Sequence, residues 1–313
     1  MTRLHKQSGV AVITALLLTT LAITIVTSLF WQQQVQVRSI ENQRLQLQKQ
    51  WILRGALDWA GLILREDAKH SSIDSLDEPW AVPLAKTPLD QYVDEGHTDA
   101  DAADANLSGS ISDAQARYNL TNLCPNGIII PAEVAAFSQL LVNVKLNPNL
   151  AQATADAMAA ALQIPNAATA NSSTQSGPQS MNFTQLDDLL AVPGFSPEML
   201  ARLRDFVIFL PSITPVNVNT ASPEVLSARI NSLSLAQATT LVASRSSASF
   251  RDLADFSNRL PNGNFRVAPN DASVTSNYFL VNGNVQMSRA SLEVQALLDR
   301  NSSPPKLIWI REY

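Results

Sequence analysis

The hydrophobic pattern divides the chain into three regimes. From Val10 to Phe30 no residue is charged, and this run is long enough, at roughly 20 residues, for a helix to cross a bilayer. The polar stretch WQQQVQVRSIENQRLQLQKQW follows, with neither Gly nor Pro between Val10 and Arg54. In it Val37, Ile40, Leu47 and Trp51 recur at helical spacing, and Ile52, Ala56, Trp59 and Ile63 do the same. Arg38, Glu41, Arg44 and Lys49 lie between them. The pattern predicts one helix from residue 10 to about residue 70, a rod of roughly 90 Å at 1.5 Å per residue. Its first half is apolar all round. Its second half has an apolar face that must pack on something.

The second regime starts with a loop rich in Asp and Pro, residues 71–106, and a segment, LSGSISDAQARYNL, that reads as two short strands around a turn. From Pro125 to about Leu260 the spacing is helical. The runs are PAEVAAFSQLLVNVKL, LAQATADAMAAALQI, FTQLDDLLAV, SPEMLARLRDFVIFL, SPEVLSARI, LAQATTLVASR and SFRDLADFSNRL. Ser, Thr, Asp or Pro precedes most of them, as helix starts require. NAATANSSTQSGPQS reads as a flexible loop. The last regime alternates: Ala290, Leu292, Val294 and Ala296 are interleaved with Arg289, Ser291, Glu293 and Gln295, a half-buried strand. Tyr278–Val281 and Leu307–Ile310 are its expected neighbours. The expected class is α+β: a long N-terminal helix covered by a C-terminal antiparallel sheet, with a large all-α insertion. The boundaries follow as 1–9, a basic leader; 10–70, the long helix, with 10–30 in the membrane; 71–124 with 263–313, the α/β core; and 125–262, the insertion.

The leader carries Arg3, His5 and Lys6 and ends at Gly9. Basic residues on that side place it in the cytoplasm and the body across the inner membrane. A secretory signal would end in a small-residue cleavage site, and none follows the apolar run. The net charge is −5, and removing the leader takes away Arg3 and Lys6 and no acid. An acidic body argues against nucleic acid, whose phosphates demand clustered Lys and Arg. The 46% hydrophobic content supports a packed core. Cys124 is the one cysteine, so no disulfide forms within the chain.

Gly9-Val10 ahead of a long apolar helix, with a sheet at the end, resembles the type IV pilin-like proteins. GVAVITALLL, SISDAQARYNLTNL, VNVNTASPEVLSA, SNYFLVNGNV and the closing LIWIRE, in that order, resemble the K-type minor pseudopilins of the type II secretion system. The resemblance implies a pilin-like fold and cleavage by prepilin peptidase between Gly9 and Val10. It also implies packing of the membrane helix on partner helices. Small and hydroxyl residues Ala11, Thr14, Ala15, Thr19 and Ala22 would allow close approach there. Most relatives carry Glu where Thr14 stands, an acid thought to meet the N-terminal amine of the subunit above. Its replacement by Thr implies a subunit with nothing above it, at the filament tip. The implied partners are the I and J minor pseudopilins, other pseudopilins, prepilin peptidase and the inner membrane, with no nucleic acid.

VNVNTAS before a helix, and Leu186–Leu200 with Val192-Pro193-Gly194, also resemble helix-hairpin-helix modules. The glycines that cradle phosphate in such hairpins are mostly missing, and Asp187, Asp188 and Glu198 lie alongside. Paired helices reused for protein contact, in the manner of SAM or helix-hairpin-helix domains, fit better. Asp99, Asp101 and Asp104 begin like a calcium loop but lack its glycine and closing Glu, so a solvated acidic loop competes with a metal site. Calcium is the one cofactor that the resemblance implies. No HExxH, GxSxG, Cys-His pair or phosphate loop is present, and no catalytic residue is assigned. Trp31 is expected at the bilayer interface, and Trp51, Trp59 and Trp80 in packing. Two rival readings stand at this stage: a minor pilin of a type IV pilus or competence system, and a membrane-tethered DNA receptor.

Overall fold

The computed structural model describes residues 8–89, 105–162, 182–261, 267–287 and 290–313. Helix α1 runs unbroken from Ser8–His70, 63 residues, or roughly 95 Å at 1.5 Å per residue. It closes on Lys69 and His70, cations that suit the negative end of the helix dipole. Glu66 takes Nζ of Lys69 at 2.7 Å in the same turn.

Five antiparallel strands form the main sheet in the order β1-β2-β7-β8-β9. They are β1 (Leu84–Pro88), β2 (Asn106–Asp113), β7 (Tyr278–Met287), β8 (Ala290–Asp299) and β9 (Lys306–Glu312). Period-two alternation sends their side chains to two different cores. Phe279, Val281, Ala296 and Leu298 face α1, where they enclose Leu57, Ala60, Leu64 and Trp80. Val285, Leu292 and Val294 continue that layer around Leu53. On the other face Tyr278, Leu280 and Leu297 pack with Ile208 and Leu210 of the helical body. Gly109 on β2 allows the close approach to β7, since a Cβ there would sit 2.6 Å from the Asn282 carbonyl oxygen.

Between β2 and β7 the described residues make two short parallel pairs and six α-helices. β3 (Tyr118–Asn119) pairs with β4 (Val207–Ile208), and β5 (Val216–Asn217) with β6 (Ala272–Ser273). The helices are α2 (Pro131–Asn143), α3 (Leu150–Leu162), α4 (Pro197–Leu203), α5 (Pro223–Arg229), α6 (Leu235–Arg245) and α7 (Leu253–Arg259). Ser196, Ser222, Ser234 and Asp252 cap α4 to α7 by accepting a backbone N–H with the side chain. The core of this body takes in residues from Tyr118 to Val274.

Several expectations change. DFVIFL was expected to continue a helix, but α4 stops at Leu203 and the run becomes β4 and its extension. Its residues alternate between two interiors: Val207 and Phe209 enter the helical body, Ile208 and Leu210 the sheet. A run apolar on both sides suits a strand buried on both sides. The segment 107–120 is one strand of the main sheet, then a 3-10 turn at Ala114–Ala116, then β3, which leaves the sheet to pair with β4. FTQLDDLLAV forms a 3-10 helix, Leu186–Ala191, and β1 lies within the stretch read as loop. The proposed flexible loop at NAATANSSTQSGPQS lies outside the described residues.

A buried polar knot fastens the helical body to the sheet. Oδ2 of Asp113, at the end of β2, accepts from Asn217 Nδ2 (2.9 Å), Thr220 Oγ1 (2.5 Å) and Ser276 Oγ (2.6 Å). Its Oδ1 accepts from the Gln115 N–H at 2.7 Å. Asn217 also donates to the Asp74 carbonyl at 3.0 Å. Burial pushes the Asp113 carboxyl above its usual range, against the pull of these donors. Asn217→Ala removes a donor shared by the Asp113 carboxylate, the Asp74 carbonyl and the Ser276 hydroxyl, and the full chain in detergent should lose about 2–4 kcal/mol of stability. Urea unfolding followed by tryptophan fluorescence checks this; an unchanged midpoint would show that the knot does not hold the two parts together.

Candidate functional site

One helix among the described residues is long and apolar enough to cross a membrane, and it is α1. Gly9 and Val10 lie in its first turn. Ala11, Thr14, Ala15, Thr19 and Ala22 are all exposed along it. Thr14 donates its hydroxyl to the carbonyls of Val10 and Ala11, each at 3.0 Å, and Thr19 donates to Leu16 at 2.9 Å. A hydroxyl satisfied within its own helix needs no partner in lipid, whereas a carboxylate at that position would.

The lower half of α1 does not follow the expected stripe. Leu53, Leu57, Ala60 and Leu64 are the buried hydrophobic positions, while Val37, Ile40, Leu47 and Trp51 are exposed, Trp51 by 71%. Ile52, Ala56 and Ile63 are half-buried at the border. Trp80 is in the core, edge-on to Phe279 with ring centroids 5.2 Å apart, but Trp51 and Trp59 are not. The helix therefore has two apolar faces, and the sheet covers one. At 3.6 residues per turn, Ala11, Ala15 and Ala22 fall on the same side as Ile40, Leu47 and Trp51, about 120° around the helix from the buried leucines. Small side chains near the membrane end and large ones below thus share one uncovered strip, interrupted by Gln33 and Gln36.

The acidic candidates Asp99, Asp101 and Asp104 lie outside the described residues. A different cluster stands where α1 meets the sheet. Asp67, Asp74 and Glu78 each place a carboxylate oxygen within 4.8 Å of the others. Arg300, on the turn after β8, reaches Asp67 Oδ2 at 3.2 Å and Asp74 Oδ2 at 2.6 Å, with its guanidinium 4.6 Å from the centre of the Phe279 ring. The Ser276 N–H also donates to Asp74 Oδ2, at 2.6 Å. Glu78 Oε2 accepts from the Ser75 N–H (2.9 Å) and from Trp80 Nε1 (2.8 Å). Burial, with the charges of Glu78 and Asp74, pushes the Asp67 carboxyl up to about 6 in spite of Arg300. Burial likewise raises Asp74. Asp74 Oδ1 is buried and has no hydrogen-bond partner. The spacing E-D-x₆-D-x₂-D-E in residues 66–78 was the available signal, but only the fold adds Arg300.

The hairpin-like motifs serve packing. Asn217 belongs to the knot, and Asn219 is buried, donating to the Phe250 carbonyl at 2.9 Å and accepting its N–H at 2.7 Å. Gly194 holds φ +105°, and a Cβ there would meet Leu150 at 2.9 Å. Asp188 Oδ2 occupies the N–H groups of Thr184 and Gln185.

Residues 116–212 and 216–275 match the two parts of the family described as type II secretion system (T2SS), protein K, together about half of the chain. The chain belongs to that family. It is a minor pseudopilin of type II secretion, and its family is a structural component of that machine. Type II secretion system protein K of Pseudomonas aeruginosa is 28% identical over 98% of this chain and 92% of its own length. The protein of the same name from Aeromonas hydrophila is 26% identical over 70% of this chain and 69% of its own. The fold is similar to a chain in the crystal structure of the GspK-GspI-GspJ complex from the type 2 secretion system of enterotoxigenic Escherichia coli. The TM-score is 0.67 at 18% identity, over 88% of this chain and 99% of that one.

The uncovered strip gives a direct expectation. Ile40→Glu combined with Leu47→Glu should change the stability of the full chain by less than about 0.5 kcal/mol per site, because neither residue is packed within it. The same pair should lower co-purification with partner pseudopilins at least tenfold. A large loss of thermal stability would show that the strip is covered within the chain.

Proposed function

We propose that this minor pseudopilin sits at the tip of the secretion filament, where it starts or caps assembly with the I and J minor pseudopilins and plays no enzymatic part. The supporting observation is the strip on α1 from Ala11 to Trp51, uncovered and largely apolar apart from Gln33 and Gln36, beside a self-satisfied Thr14. A strip of this kind gains stability only against other helices, in lipid near Ala11 and Ala15 and in water near Leu47 and Trp51. At Thr14 no carboxylate is available to meet the terminal amine of a subunit above. The helical body adds bulk on the sheet face opposite α1, where it would crowd a regular shaft but not an end.

In this reading prepilin peptidase removes residues 1–9 on the cytoplasmic side, and Val10 becomes the first residue. The chain stays in the inner membrane by its single helix, with its body in the periplasm. Partner helices then line the strip. The complex drives growth of the short filament that helps proteins cross the outer membrane. Calcium, if the body uses it, acts as a structural ion.

Two tests bear on this. Gly9→Glu should leave the leader attached, seen as an intact N-terminus by mass spectrometry, and should abolish export of the machine's substrates. Normal processing and export in that variant would overturn the cleavage step. Co-expression with the I and J pseudopilins should yield one stable three-chain complex; three separately eluting chains would remove the tip assignment.

A further inference from the structure

We propose that the hollow between α1 and β9 is a socket for a carboxylate carried on a partner pseudopilin's helix, and that Arg54 and Arg65 select that partner by charge. The inference rests on the proposed assembly with other pseudopilins; it adds where one of them docks and what its side chain must be. The first observation is room. A hollow of about 510 Å³ is walled by Arg54, Asp58, Gly61 and Arg65 of α1 and, across from them, by Leu307 of β9 and the preceding Pro304 and Pro305. Gly61 is buried, yet a Cβ built on it would meet nothing packed on the helix within 4 Å. Glycine inside a helix weakens it, and no close approach among the described residues requires one here.

The second observation is an unmet donor. Nε of Arg65 is buried and has no hydrogen-bond partner, a costly state for a charged group. A guanidinium grips a carboxylate through two parallel N–H groups, so a carboxylate entering the hollow satisfies this one. The walls carry two cations and one anion, Asp58, on a chain whose net charge is −5. A groove of that sign on an acidic protein fits an acidic side chain.

Spacing identifies the occupant as a helix. Beyond Leu47 and Trp51 of the uncovered strip come Arg54, Asp58, Gly61 and Arg65, at steps of three, four, three and four residues. That is the ridge one helix offers another. Seven residues fall about 20° short of two turns, so the ridge winds from the open side at Ile40 to the β9 flank at Gly61. A partner that lies along the strip is led into the hollow, and a shared membrane makes it run parallel to α1. A second copy of this chain fits poorly. In register it would set Arg54 against Arg54, Asp58 against Asp58 and Arg65 against Arg65, like charges at close range. The occupant is therefore a different pseudopilin, with Asp or Glu at the level of Gly61 and Arg65.

The test uses the full chain co-expressed with the I and J pseudopilins and purified in detergent. A photo-crosslinking residue in place of Leu307 should join the chain to one of the two, through a helical peptide containing Asp or Glu. Gly61→Leu fills the hollow. It should keep or raise the melting temperature of the chain alone and lower recovery of the complex about tenfold or more. Arg65→Glu should lower recovery as much, and changing the acid of the crosslinked peptide to Arg should restore it. A wild-type complex that both variants leave intact would overturn the socket and spare the assembly on which it rests. Crosslinks only between copies of this chain would overturn it in favour of a homodimer. A large fall in the melting temperature of Gly61→Leu would overturn it too, by showing that the hollow is filled from within. If the wild-type chain forms no complex, the assembly falls and the socket with it.

Discussion

A single buried carboxylate holds this architecture in register. Asp113 ends β2, and the next strand of the sheet, β7, begins at Tyr278, with the whole helical body threaded between. Asp113 pairs in register with Phe279, so the chain must return to the point it left. The side chains that bring it back are Asn217 and Thr220 from the helical body and Ser276 from the approach to β7, and all of them donate to Asp113. A charge this deep is costly unless each lone pair is met. The arrangement tolerates few alternatives, and so it specifies one orientation of the helical body on the sheet.

Sheet and helical body then share work that neither could do alone. One face of the sheet buries Leu53, Leu57 and Leu64 of α1; the other receives Ile208 and Leu210. Each fully buried aliphatic side chain contributes about 1.5–3 kcal/mol, so both layers matter. The sheet lies over only the lower part of α1. Above it no sheet residue among the described ones covers the helix, and the strip from Ala11 to Trp51 follows from that mismatch in length. An oversized helix with an uncovered apolar side is what a subunit that packs on partner helices needs.

Much of this was legible in the linear pattern. An uninterrupted apolar helix, the alternation at Leu292, Val294 and Ala296, and the capped starts at Ser196, Ser222 and Ser234 all depend on local rules. The misreadings share one cause. Val207 to Leu210 looked like a helix tail because every residue is apolar, and Val37 to Trp51 looked like a packing face because its spacing is helical. Period alone cannot say whether a neighbour exists. The cluster of Asp67, Asp74 and Glu78 was hidden for the same reason: its counter-ion, Arg300, is more than two hundred residues away.

The sequence by itself determined the long membrane-compatible helix, the α+β class and the strand content of the C-terminal end, since each rests on contacts within a few residues. The tertiary structure alone decided which face of α1 is covered, that the asparagines of VNVNT serve as a clasp, and where the acidic side chains gather. Those outcomes depend on burial, and burial is a property of surfaces brought together from distant parts of the chain.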